Sequence, residues 1–106
     1  MLTSEIKSIV TDALRAGKNI AITGREGSGK SSLCNEIVKL MCESNIDKEY
    51  HVIRELVAQI DIDFVNFQLE EKRPLIFIWH CNNIQAYFPQ YKGIHIIADP
   101  LQVEEI

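Results

Sequence analysis

The stretch of this chain best equipped for chemistry is Gly24-Arg25-Glu26-Gly27-Ser28-Gly29-Lys30-Ser31. Its three glycines, Gly24, Gly27 and Gly29, carry no Cβ, so the backbone can curl and turn successive N–H groups toward one point. A lysine and two hydroxyl side chains, Ser31 and Ser32, follow at once. An oxygen-rich anion suits that set, above all a run of phosphates. The fixed positions of the pattern G-x-x-x-x-G-K-[S/T] are all filled, by Gly24, Gly29, Lys30 and Ser31. In such a loop the unpaired N–H groups of Ser28 to Ser32, at the start of the following helix, attract phosphate oxygens, and Lys30 reaches the β and γ phosphates. The Ser31 hydroxyl holds Mg²⁺, and Ser32 meets the α phosphate through its hydroxyl or its N–H. Arg25 and Glu26 fill variable positions and are expected in solvent. The plainer alternative is a glycine-rich turn that binds nothing more than sulfate.

The loop needs a strand before it and a helix after it, and the chain supplies both. Asn19-Ile20-Ala21-Ile22-Thr23 is a short apolar run, and residues 29–42 repeat Leu33, Ile37, Leu40 and Met41 at helical spacing. The start of that helix offers unpaired N–H groups and a positive dipole end. Upstream, Thr3 or Ser4 can cap a helix with Ile6, Ile9, Val10, Ala13 and Leu14 on one face, and Gly17 stands where its C-cap falls. Downstream, residues 50–54 read as a second strand. From Ile53 the apolar positions 53, 56, 57, 60, 64 and 67 favour a helix. Leu75-Ile76-Phe77-Ile78-Trp79 is apolar on both faces, as in a buried parallel strand. A short helix is expected within 82–91, broken by Pro89, and a fourth strand in Gly93-Ile94-His95-Ile96-Ile97-Ala98. Asp99-Pro100 ends that strand in a turn, and the tail reads as a short amphipathic stretch. Alternating strands and helices predict an α/β fold with about four mostly parallel strands flanked by helices.

Catalysis asks for more than a phosphate cradle. Hydrolysis needs a carboxylate at the end of a neighbouring strand, to hold Mg²⁺ through water or to activate the attacking water. After Leu75–Trp79 the chain reads His80-Cys81-Asn82-Asn83, with no acid. His80 can hydrogen-bond a water or a phosphate, but imidazole is a poor ligand for Mg²⁺. Glu55, just beyond the second strand, stands where a water-activating acid would, and equally where a carboxylate favours a helix start. Asp61 and Asp63 follow Leu56-Val57-Ala58-Gln59-Ile60 as acids after a faint strand would, though the helical spacing favours a solvated helix face, and Asp99 reads as a turn residue. No spacing of His51, His80, His95 and the cysteines resembles a zinc site. Trp79, Tyr87, Phe88 and Tyr91 suit core and rim packing more than base stacking.

A length of 106 residues suggests one domain spanning 1–106. A net charge of −4 lacks the electrostatic footprint of an independent nucleic-acid binder. The odd cysteine count, Cys34, Cys42 and Cys81, is a poor disulfide framework. Cys34 and Cys42, eight apart on one helix, are expected to pack as small apolar residues. Reduced thiols, a polar start and no apolar run of membrane-spanning length lead to the expectation of a soluble cytoplasmic protein, away from any membrane.

Residues 16–33, from Ala16-Gly17-Lys18-Asn19 through the glycine loop to Leu33, resemble the Walker A region of RecA-like (ASCE) P-loop ATPases. The closest flavour is the secretion and conjugation ATPases and the FtsK-like DNA translocases. Arg73-Pro74-Leu75-Ile76-Phe77-Ile78-Trp79 and Gly93-Ile94-His95-Ile96-Ile97 echo, more weakly, the later strands of the translocases. The resemblance implies a P-loop NTPase-like domain that binds ATP (or GTP) with Mg²⁺ through Gly24, Gly27, Ser28, Gly29, Lys30 and Ser31. It also implies a homo-oligomer or a larger motor or secretion partner. The chain departs from those families where His80 and Cys81 replace an aspartate–glutamate pair, and it is shorter than a full motor domain. Motor function is therefore not carried over, and hydrolysis is expected to be weak or partner-dependent.

Two other functions stay open. A small nucleoside or nucleotide phosphotransferase needs cations gathered over the phosphates. Arg15, Arg25, Arg54 and Arg73 are scattered in sequence, and Arg54 or Arg73 in the pocket would favour this reading. An interaction module that kept the fold and lost the ligand would explain the missing strand-end acid, but not an intact Lys30 and Ser31.

Overall fold

The computed structural model describes residues 2–106. Helix α1 spans Ser4–Arg15 and strand β1 Asn19–Thr23. Helix α2 spans Lys30–Glu43, strand β2 His51–Ile53, helix α3 Gln59–Glu70 and strand β3 Leu75–Trp79. Then come the short helix α4, Ile84–Tyr87, strand β4, Gly93–Ala98, and strand β5, Leu101–Glu105. The five strands form one sheet in the order β2-β3-β1-β4-β5. All neighbours run parallel except β4 and β5.

Side-chain alternation along the three central strands builds two cores. Ile20, Ile22, Ile76, Ile78, Ile94 and Ile96 face α1 and α2, meeting Val10, Leu14, Leu33 and Ile37. Ala21, Leu75, Phe77 and Trp79 face the other layer, meeting Val65 and Leu69 of α3 with Ile84, Phe88 and Tyr91. Phe77 packs edge-on against both Phe88 and Tyr91, the geometry aromatic quadrupoles prefer. Helices on both faces explain why β3 is buried at every residue.

Helix ends follow the local chemistry. Thr3 accepts the N–H of Ile6 and caps α1. All three long helices finish with the same paired bonds. The N–H two residues past the C-cap reaches back five positions, as in Lys18 to Ala13, Ile46 to Met41 and Arg73 to Gln68. The residue between adopts positive φ in each case, at Gly17, Asn45 and Lys72.

The structure corrects four expectations. The tail is a fifth strand, β5, antiparallel to β4 across a turn at Asp99-Pro100. Its burial is partial and its charges are exposed, the pattern of an edge strand, so its alternation reads as amphipathic tail in sequence. Helix α3 begins at Gln59, not near Ile53, because Ile53 is held in the sheet. The carboxylate of Asp61 then accepts the N–H groups of Val57 and Ala58 at 2.9 and 3.0 Å and starts the helix there. The apolar positions 57, 60, 64 and 67 face outward, while Val65, Gln68 and Leu69 face the core. Cys42 is exposed, whereas Cys34 is buried as expected. No helix among the described residues is long and apolar enough to cross a membrane.

Candidate functional site

Adjacent strands that send their connections to opposite faces of a parallel sheet leave a crevice at their carboxyl ends. β1 leads into α2 on one face, and its neighbour β3 leads into α4 on the other. Thr23 is level with Trp79 and Ile53 with Phe77, so Gly24, Glu55 and His80 emerge along one rim. A cavity of about 620 Å³ opens there, lined by Glu26, Gly27, Gly29, Lys30, Ser31, Ser32, Glu55 and His80. A smaller recess of about 170 Å³ shares Lys30, Ser31, Glu55 and His80 with it and adds Arg54, Leu56 and Ile78. The sheet thus gathers the glycine loop, both serines and both acid–base candidates at one place.

The loop holds its curl by close backbone approach. Gly24 has φ 152°, and a Cβ there would stand 2.6 Å from Ser28 Oγ and 3.1 Å from Ala98 Cβ. Gly29 caps α2 at φ 91°, so the helix opens with no side-chain cap and its first N–H groups have no partner within the helix. Contrary to expectation the Ser28 N–H is not unpaired, because the loop folds into a turn in which it donates to Arg25 O at 3.2 Å. Its hydroxyl is buried with no partner among the described residues. The half-buried Lys30 curls back so that Nζ donates to Gly24 O. Ser31 and Ser32 are exposed at the start of α2. Arg25 reaches Asp99 at 3.8 Å, a solvent-exposed pair between the loop and the β4–β5 turn.

The far wall comes from β2 and β3. Trp79 is buried under the rim, and the exposed His80 ring lies nearly parallel to it, 10° off, with centroids 5.3 Å apart. His80 lines the cleft from this side. Cys81 instead packs against the second core. Arg54 donates from Nη1 to Asn35 Oδ1 on α2, which fixes the guanidinium beside the recess. Asp61 and Asp63 lie away from the cavity, the first capping α3 and the second accepting from Gln59 at 3.0 Å. Of the aromatic group, Phe88 and Tyr91 are buried in the core and Tyr87 is the exposed member.

Sequence order hides two elements of this arrangement. Arg54 reaches the recess only because β2 lies beside β3. The side chain of Thr23, the residue before the loop, is buried against His95 of β4. Size alone does not select the cleft. A concavity of about 690 Å³ lies at the opposite, amino-terminal rim of the strands. It mixes Asp47 and Glu49 with Lys48, Lys72 and Arg73 and offers no glycine-rich backbone.

No protein-family model, no curated protein and no solved structure matches this chain.

Proposed function

We propose that the chain binds a nucleoside triphosphate, most naturally ATP, with its phosphates in the cleft between the Gly24–Ser31 loop and His80. The observation that carries this reading is the convergence of Lys30, Ser31, Ser32 and the opening N–H groups of α2 on one wall of a single cavity. Anions bind helix N-termini through such N–H groups, and a lysine ammonium adds a charge-assisted contact. Phosphate would draw Lys30 from Gly24 O, a neutral acceptor, to a charged one.

Magnesium fits this site as a companion of the nucleotide. The ion prefers oxygen and keeps several waters, so phosphates and one serine hydroxyl suffice to hold it. Ser31 offers that hydroxyl. Among the described residues no three His, Cys, Asp or Glu side chains gather as a cage. Bound Mg²⁺ would supply neutralisation of phosphate charge. Glu55 lines the same cleft and in this reading would orient or deprotonate a water or an acceptor hydroxyl. His80 is placed to donate a hydrogen bond to a phosphate oxygen.

A second reading, transfer of the phosphoryl group to a small acceptor, is supported by one observation. Arg54 and Lys30 line the same smaller recess, so two cations flank it. The attachment to a DNA-transfer, plasmid, phage or secretion machine rests on the resemblance alone.

Phosphate release and nucleoside diphosphate formation, followed with Mg-ATP in the presence and absence of small nucleosides, tests both readings. Glu55→Gln is expected to lower turnover at least tenfold while leaving ATP affinity within about threefold. Acceptor-dependent diphosphate formation without free phosphate selects transfer. Turnover unchanged in Glu55→Gln removes Glu55 from the chemistry.

A further inference from the structure

Helix α3 carries an apolar stripe that the domain does not use. Val57 just before it is 77% exposed, Ile60 74%, Phe64 37% and Phe67 52%. Residues 60, 64 and 67 fall within one narrow sector of the helix, about one-sixth of its circumference. A contiguous apolar face of this kind on a surface helix marks an interaction site. It adjoins the open side of the sheet, since β2 is an edge strand and its exposed His51 ring packs 5.0 Å from the Phe64 ring.

The charge around the stripe says what covers it. From Leu56 through Glu71 the chain holds four carboxylates, Asp61, Asp63, Glu70 and Glu71, and no lysine or arginine, the nearest cations in sequence being Arg54 before it and Lys72 and Arg73 at the end of the helix. Asp63 and Glu70 are exposed beside the stripe, and Glu71 extends it. A second copy laid on this face would set those carboxylates against themselves, and like charges across an interface are costly. An apolar ridge bordered by lysine and arginine would meet both the ridge and its flanks.

We propose that this face of α3 docks an amphipathic helix of another chain, with apolar residues at i, i+3 or i+4 and i+7, and with basic residues on its flanks. The docking site is separate from the cleft, and its case does not depend on nucleotide binding.

The full chain would be titrated, by fluorescence anisotropy, into two monomeric synthetic peptides of about five helical turns. Both carry one leucine stripe, flanked by lysines in one peptide and by glutamates in the other. The lysine-flanked peptide is expected to bind at least tenfold tighter, with an advantage that shrinks as salt rises. Ile60→Ser with Phe67→Ser is expected to lower that affinity at least tenfold without lowering the unfolding midpoint, because both side chains are exposed. Asp63→Lys with Glu70→Lys keeps the stripe and is expected to shift the preference toward the glutamate-flanked peptide. Equal binding of the two peptides, no binding of either, or affinity untouched by the serine pair overturns the proposal. So does a dimer of the free chain, seen by sedimentation equilibrium and dissolved by Ile60→Ser, which would give the face to a second copy.

Discussion

Nε2 of His95 lies 2.6 Å from Oγ1 of Thr23, both side chains being buried between β1 and β4. On the other side of the ring, Nδ1 lies 2.8 Å from Oε1 of Glu104 on β5. The arrangement suits Glu104 as acceptor of the Nδ1–H, leaving Nε2 to accept the Thr23 hydroxyl. Thr23 directly precedes Gly24, so this chain of bonds ties the root of the loop to the antiparallel edge of the sheet. Removing the ring leaves the Thr23 hydroxyl buried and unpaired beside a cavity. His95→Ala is expected to cost about 2–4 kcal/mol in urea unfolding. Glu104→Gln, at a more exposed carboxylate, is expected to cost less than about 1 kcal/mol. Equal costs for the two variants would remove the Thr23–His95 bond from this account.

Alkaline pH should weaken the fold through Tyr50. Its hydroxyl donates to Lys18 O, at the turn between α1 and β1. Burial pushes the phenol up from 10 to about 12. A folded-state value above the unfolded one means that folding favours the protonated form. The contribution is therefore complete below about pH 10 and is lost as pH rises toward 12. Burial pushes Tyr91 up as well, which adds loss in the same direction. Unfolding followed from pH 8 to 12 is expected to show declining stability, with a shallower decline in Tyr50→Phe. A flat profile would contradict the burial of both phenols.

The cysteines should separate by reactivity. Burial raises the Cys34 thiol and withholds it from solvent, with only partial opposition from the Arg54 charge. Cys42 is exposed on the same helix. Under native conditions a thiol reagent is expected to modify Cys42 first and Cys34 last, as peptide mapping by mass spectrometry would show. Fast labelling of Cys34 would mean that α2 opens readily from the sheet.

Lys72 ends α3 in the left-handed conformation at φ 57°, where a side chain is strained. Lys72→Gly is expected to stabilise the chain by about 0.5–1 kcal/mol. No gain in the midpoint of denaturant unfolding would indicate that the lysine makes a compensating contact.

The contrast between helices shows what the sequence could and could not tell. Around the loop, β1 and α2 are legible because a run of isoleucines, three glycines and a helical stripe all point the same way. In α3 they do not. Positions 57, 60, 64 and 67 and positions 62, 65 and 69 both repeat at helical spacing, and periodicity alone does not say which set meets the sheet. The structure buries the second set and leaves the first outside. β5 escapes notice because an edge strand of five residues with two acids, Glu104 and Glu105, lacks a continuous apolar pattern. The site shows the same division. The loop residues are written consecutively, whereas Arg54, Glu55 and His80 join them only through the strand order β2-β3-β1, which local patterning does not encode.

Equilibrium titration of Mg-ATP into the full chain and into Lys30→Ala tests the central claim most directly. The intact chain is expected to bind with a dissociation constant below about 1 mM, and Lys30→Ala to bind at least tenfold more weakly, as fits loss of a charge-assisted contact of about 1.5–3 kcal/mol. No binding of Mg-ATP or Mg-GTP to the intact chain at millimolar concentration, or equal affinity in Lys30→Ala, would contradict it.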